Sequence, residues 1–261
     1  SRFNPLQLRN RFQLNFRNHR KLVICDGQYA FVGGYNVDEV YVTTDDIRDT
    51  HVEISGPSVL AFQLAFTEDW YWATQSVPAI QWQPPKAEGT SNVMTIPTGP
   101  ADDAESASLF FTHLIHKARQ RCWLVSPYFV PDQSLVAAMQ LAGLRGVDIR
   151  ILIPENGDSH LVQHAMGAFV EPLTRCNVQF FSYQKGFLHQ KVILVDDEWA
   201  YIGSSNLDNR SLRINFELGA LIQDKQFAAE TAAMLQEDFD NAVPTRLSTH
   251  WWQVFLTRVS R

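Results

Sequence analysis

Two stretches of this chain carry the same five polar residues at the same spacing. The first holds His19, Lys21, Asp26, Gly33 and Asn36, and the second His189, Lys191, Asp196, Gly203 and Asn206, a constant offset of 170. An imidazole can attack an electrophile or carry a proton. An ammonium can neutralise an anionic oxygen, and a carboxamide can donate to one. Cleaving a phosphodiester needs a nucleophile, an acid for the leaving oxygen and cations on the non-bridging oxygens. Two such stretches facing each other supply all three, with Lys21 and Lys191 in the role a metal would otherwise take, so no metal or cofactor is expected. One His-x-Lys on a strand is usually incidental. Duplication with full spacing reduces that reading to roughly one chance in ten.

The neighbouring residues say how these groups are held. LVIC follows Lys21 and VILV follows Lys191, short apolar β-branched runs that read as buried strands. Each Asp then opens a tight turn into a second strand, YAFVG or WAYIG. Side chains alternate along a strand, so His and Lys two apart point the same way, out of one sheet end. Gly33 and Gly203 let the backbone pass close to the site, and Asn36 and Asn206 arrive at the same end. Asp26 and Asp196 join the candidate catalytic set as members of the signature, although their place after the strand reads as fixing the turn.

Composition is that of a folded protein, with 45% hydrophobic and 19% charged residues. A net charge of −6 argues against a nucleic-acid groove, which is normally basic. No apolar run reaches the roughly 18 residues of a membrane span. Cys25 and Cys122 sit in strand-like runs and read as buried free thiols.

In chain order, residues 1–18 hold Arg2, Arg9, Arg11 and Arg17 and no acid, a solvated basic loop or a phosphate-steering arm beside His19. Residues 37–47 read as a polar loop. A strand around Val52 and Ile54 and a helix from Pro57 through Ala73 follow. Residues 75–105, rich in Pro, Gly and polar side chains, read as a linker. Residues 106–243 then alternate helices with buried strands, the pattern of an α/β lobe. Ile54 matches Ile222 at offset 168, and Glu68-Asp69-Trp70 matches Glu237-Asp238-Phe239 at offset 169, so the repeat extends past the motif. Over 80 residues separate the linker from His189, but only 18 precede His19. The first lobe, residues 1–74, is therefore expected to be truncated and the chain to be part of a longer protein. His113 with His116, and His160 with His164, have ligand-like helical spacing but no third partner, so surface or pocket histidines are the expected reading. His160 is also placed to line a substrate cleft.

The pattern HxKxxxxDxxxxxxG(G/S)xN, twice in one chain, resembles the signature of the phospholipase D superfamily. SPYFVPD (126–132), LAGLRGVDIRILIPE (141–155), GFLHQKVILVDD (186–197), SSNLDNRSLRINFE (204–217) and EDWYWAT (68–74) are similar to bacterial cardiolipin synthases. The resemblance implies a phospholipase D-like α/β fold of two pseudo-repeated lobes, mixed sheets flanked by helices. It implies a phosphatidyltransferase that joins two phosphatidylglycerol molecules through a phosphohistidine and releases glycerol. A hydrolase of lipid or nucleic acid, and an inactive fragment, are the alternatives. His19 would be nucleophile and His189 acid/base, with Asn36, Asn206 and Ser204 binding the phosphate or orienting the histidines. The first copy has Gly34 in place of Ser204, which loses a hydroxyl contact there. A catalytic His needs its second ring nitrogen tied to an acceptor. Glu217 is the family's candidate in the second copy, and Asp49, at offset 168, should serve His19, with Glu53 as fallback. The implied partners are anionic phospholipid and a membrane surface, not nucleic acid. The implied location is the bacterial cell membrane, reached through N-terminal helices this chain lacks. The closing segment, 244–261, pairs Trp251, Trp252 and Phe255 with Arg246, Arg258 and Arg261, suited to lie at headgroup level or to dock on its own lobe.

Overall fold

The computed structural model describes residues 15–44, 46–155 and 160–245. The first half runs β1 (Leu22–Cys25), β2 (Tyr29–Gly33), a single turn α1 (Val40–Thr43), β3 (Ile47–Arg48), β4 (His51–Ser55) and α2 (Val59–Thr74). The second begins with β5 (Asn92–Thr98), α3 (Ser106–Lys117), β6 (Arg121–Val125), β7 (Phe129–Val130), α4 (Gln133–Leu144), β8 (Asp148–Pro154), α5 (His160–Thr174) and β9 (Val178–Tyr183). It ends with β10 (Phe187–Leu188), β11 (Val192–Val195), β12 (Trp199–Gly203), β13 (Leu207–Asp208), α6 (Asn209–Arg213), β14 (Glu217–Gln223), α7 (Lys225–Asp240) and β15 (Ala242–Pro244).

The second half forms an eight-stranded mixed sheet in the order β15-β9-β8-β6-β11-β12-β14-β5. Strands β6, β8 and β9 are parallel, joined by helical crossovers, and the rest pair antiparallel. The first half forms an antiparallel sheet β1-β2-β4. Its registers repeat those of β11-β12-β14: Leu22 faces Val32 as Val192 faces Ile202, and Val32 faces Val52 as Ile202 faces Ala220. The far edge of β11 pairs with β6, whereas that of β1 has no partner strand among the described residues. The expected mixed α/β fold is thus what forms, with a three-stranded sheet in the first half against eight strands in the second. Cys25 is exposed, contrary to the buried thiol expected, because it lies on the face of β1 opposite the packed Leu22 and Ile24. Cys122, in the middle of the large sheet, is buried as expected.

Helices α3, α4 and α5 cover one face of the large sheet, with Phe111, Ile115, Leu135, Met139 and Val170 in that core. The other face receives the small sheet. Val32, Ile54 and Phe62 pack there into one cluster with Val192, Leu194, Ile202 and Ala220, joined by Leu235 and Phe239 of α7. Each such side chain contributes about 1.5–3 kcal/mol through burial, so the two halves share a core.

Two expectations are corrected. The linker assigned to 75–105 contains β5, which pairs with β14 along its whole length. β5 is an edge strand, and an edge is where Pro97 is tolerated. The polar loop of 37–47 contains α1, whose Tyr41 reaches the site described next.

Candidate active site

Both histidines stand just ahead of a motif strand, and each is stitched to the opposite half. The His19 amide donates to the Phe216 carbonyl at 2.9 Å, and the His189 amide to the Arg48 carbonyl at 2.8 Å. Asn18 bridges Phe216 in parallel, as Leu188 bridges Arg48 in the β10–β3 pair. These are one interaction made twice, since Asn18 matches Leu188 at offset 170 and Arg48 matches Phe216 at offset 168.

The residue after each accepting carbonyl is a carboxylate, so the acids cross over. His19 Nδ1 lies 2.9 and 3.0 Å from the two Glu217 oxygens. His189 Nδ1 lies 2.7 Å from Asp49 Oδ2. Asp49 does not serve His19, nor Glu217 His189, as expected from pairing within each copy; the strand that carries each acid runs beside the other copy's histidine. Glu53 lies on the exposed side of β4 and serves neither. With both Nδ1 atoms engaged by carboxylates, Nε2 is the ring nitrogen left on each histidine for chemistry.

The two acids are held differently. Glu217 is fully buried; it accepts from Ser204 Oγ at 2.6 Å and from Asn215 Nδ2 at 3.1 Å. Ser204 therefore directs its hydroxyl to the carboxylate that holds His19, the histidine-orienting one of the two roles expected for it. Gly34 occupies the matching place in the first half, where a Cβ would sit 2.0 Å from Asp49 Oδ1. The missing side chain makes room for the shorter acid. Asp49 accepts the Thr50 amide at 2.8 Å and the Tyr41 hydroxyl at 3.3 Å.

Two arginines fix the backbone under these acids. Arg20 donates to the Glu217 carbonyl at 3.0 Å and to Asp69 of α2 at 2.9 Å. Arg48 donates to the Asp49 carbonyl at 3.0 Å and grips Asp238 of α7 at 2.7 and 3.0 Å. Asp69 and Asp238 are the repeat-related acids of the two helices, but both arginines come from the first half.

Lys21 and Lys191 each donate back to the carbonyl of their own histidine. Lys191 is 2% exposed. Burial pulls its ammonium down to about 7 and that of Lys21 to about 8, against the raising pull of the Asp49 and Glu217 charges on both. Each lysine thus feels both carboxylates, which places all four groups in one electrostatic environment. His189 is held below the usual histidine range, first by burial and then by Lys191 and Lys21, with Asp49 opposing. An anion arriving among these groups would restore the ammonium charges.

Asn206 is buried, and its Oδ1 has no hydrogen-bond partner among the described residues. Asn36 is exposed and donates to the Tyr41 oxygen at 3.4 Å. Asp26 and Asp196 lie outside this group. Each follows the far end of a four-residue strand, about 13 Å along the chain at strand rise. Both have left-handed backbones, at φ 52° and 53°. Asp196 accepts the amides of Arg119, Gln120 and Arg121. They are turn residues rather than catalytic ones, because the strand carries them away from His and Lys.

Tyr41 and Phe187 were not singled out by the sequence. The Tyr41 oxygen is 2.9 Å from His189 Nδ1, and Phe187 stacks on His189 at 5.8 Å. Neither belongs to the repeated pattern, so spacing gives no signal for them. His113 and His116 are exposed on α3, and no group of three His, Cys, Asp or Glu with metal-site geometry occurs among the described residues. The side chains of His160 and His164, and Arg2, Arg9, Arg11 and residues 246–261, lie outside the described residues.

Residues 111–241 match the family described as "Cardiolipin synthase, PLD-like domain". The chain belongs to this family. It is 49% identical over 237 residues to cardiolipin synthase A of Pseudomonas entomophila, covering 89% of this chain and 50% of that protein. It is 49% identical over 234 residues to cardiolipin synthase A of Pseudomonas aeruginosa, covering 88% and 48%. The chain thus spans about half the length of the curated relatives it matches. Among solved structures, phosphatidylserine synthase of Haemophilus influenzae aligns with 94% of this chain and 69% of its own, at a TM-score of 0.72 and 14% identity. Nuc, a phospholipase D family member of Salmonella typhimurium, aligns with 60% of this chain and 99% of its own, at 0.51 and 20%. At these identities the structures establish a shared fold.

Proposed function

We propose that this site transfers a phosphatidyl group from one phosphatidylglycerol to another. Nε2 of one histidine attacks phosphorus, and the P–O bond to the glycerol headgroup breaks. The other histidine, entering as imidazolium, gives its Nε2 proton to the departing glycerol oxygen. The products are a phosphatidyl-histidine and free glycerol. A hydroxyl of a second phosphatidylglycerol then loses its proton to that same base and attacks phosphorus, forming cardiolipin and regenerating both rings. By the resemblance of the signature, His19 is taken as the nucleophile and His189 as the acid and base. Lys21, Lys191, Asn36 and Asn206 neutralise or bond the phosphate oxygens, and Glu217 and Asp49 hold the rings in the reactive tautomer.

One observation carries this reading: two imidazoles, each tied at Nδ1 to a carboxylate from the opposite half, share a field with the buried Lys191 and the half-buried Lys21. Membership in a cardiolipin synthase family supports a phospholipid substrate. Work at a bilayer surface, with anionic phospholipid as partner and no nucleic acid, belongs to the same proposal. No helix among the described residues is long and apolar enough to cross a membrane.

The test supplies phosphatidylglycerol vesicles and follows the products. Cardiolipin with equimolar glycerol supports the reading, as does loss of both products in His19→Ala and His189→Ala. Phosphatidic acid alone would make water the acceptor and the enzyme a hydrolase. A cooperative melt with no product would mean that the transfer requires parts this chain does not contain.

A further inference from the structure

The two histidines have equivalent acids but unequal surroundings, and the inequality centres on Tyr41. Its hydroxyl oxygen lies 2.9 Å from His189 Nδ1 and 3.3 Å from Asp49 Oδ2, while that carboxylate oxygen is 2.7 Å from the same Nδ1. A phenol, a carboxylate and an imidazole therefore close a triangle. The shortest side assigns the Nδ1 proton to Asp49, so the phenol proton is directed to Asp49 as well. Asn36 Nδ2 donates to the phenol oxygen at 3.4 Å, which orients the hydroxyl the same way. Burial and the neighbouring Asp49 charge hold the Tyr41 hydroxyl far above the usual tyrosine range, so it stays a donor. Its ring lies edge-on to His189 at 6.2 Å and packs on Tyr35 at 5.3 Å. The stretch matching Tyr41 in the second half is Asn209 to Ser211, which has no aromatic residue.

We propose that Tyr41 is a positioning residue that sets the proton affinity of His189, through Asp49, apart from that of His19. A donor on a carboxylate spreads its negative charge and weakens its hold on a neighbouring imidazolium. With Tyr41 in place, His189 gives up its proton more readily than Asp49 alone would allow. The other charged groups around His189 are Lys191, two residues on in the same connection, and Lys21, from the opposite half; Tyr41→Phe changes neither. Unlike rings suit a reaction in which one is attacker and the other proton carrier. That consequence rests on the proposed transfer, but the difference in proton affinity does not.

The test is therefore independent of turnover. Histidine-labelled chain is titrated by NMR without substrate, as wild type and as Tyr41→Phe, which keeps the ring and removes only the hydroxyl. The expected result is an upward shift of about 0.5 to 1 pH unit for His189, with His19 unmoved as the internal control on folding. An unchanged or lowered His189 titration, or equal movement of both rings, would overturn the proposal. In the vesicle assay the limb of the kcat profile assigned to His189 by Asp49→Asn should move to higher pH in Tyr41→Phe, with KM unchanged. Should wild type turn phosphatidylglycerol into phosphatidic acid alone, the proposed transfer fails while the NMR result still decides the role of Tyr41.

Discussion

The two halves of the molecule build the same dyad from different parts. The second half offers Glu217, one methylene longer than Asp49, and fills the space beside it with the Ser204 hydroxyl and Asn215. The first half offers Asp49 and leaves that space empty at Gly34, where any Cβ would strike the acid. Acid length and the neighbouring side chain vary together, so histidine geometry is kept while the residues differ. Similarity of outcome, not of residue, is what the repeat preserves. Arg20 and Arg48 make the same point: they hold the carbonyls of the two acids from non-equivalent sequence positions.

The crossover gives the largest expected effect. Glu217→Gln should disturb His19 and leave the His189 titration in place, and Asp49→Asn should do the reverse. Each should lower kcat by about 10³ to 10⁴, the scale seen when an acid that orients a catalytic histidine becomes an amide. Histidine NMR on the two variants reads the pairing directly, and pairing within each copy would reverse the two spectra.

Exchange of the small residues should be unequal. Gly34→Ser places a side chain against Asp49 and should lower kcat/KM by about 100-fold, or roughly 2.7 kcal/mol. Ser204→Gly removes one hydrogen bond to a carboxylate that keeps His19 and Asn215, and about 10-fold is expected. Equal losses would refute the account of paired acid length and space.

The smallest effect separates the lysines by pH. Burial lowers Lys191 in the folded chain to about 7, while the unfolded chain keeps an ordinary lysine near 10.4. Between those values the unfolded chain binds the extra proton, so this residue's destabilising contribution is full below about 7 and relieved as pH rises. Wild-type stability should therefore gain up to about 1.4 kcal/mol per pH unit over Lys191→Met in that window, read from denaturant melts at successive pH values. Activity moves the other way: kcat/KM should fall from about pH 7 as Lys191 in the free protein loses its charge, and further above about pH 8 as Lys21 does.

Much of this architecture is legible in the residues. The spacing of His, Lys, Gly and Asn, with LVIC and VILV between them, places the site at one end of two antiparallel hairpins, as found. The offset from Glu217 to Asp49 finds both acids. It does not say which histidine each serves, because a comparison of copies cannot show that Asn18 lies beside Phe216 and Leu188 beside Arg48. Those contacts are tertiary and join chain positions nearly 200 and 140 residues apart. Tyr41 escapes for a related reason: one aromatic in a polar stretch carries no periodicity. β5 escapes because its Pro97 and polar flank mimic a connector, and only the β14 edge makes it a strand. The membership of Asp26 and Asp196 in the signature hides that their work is in the turns.

The reciprocal amide bonds, His19 to Phe216 and His189 to Arg48, make the two dyads a single object. Neither half owns a complete acid–imidazole pair, so a cut between Thr74 and Asn92 that let the halves drift apart would leave two orphaned histidines rather than one surviving site. Competence here is all or none: the seam between the halves is where the chemistry is assembled.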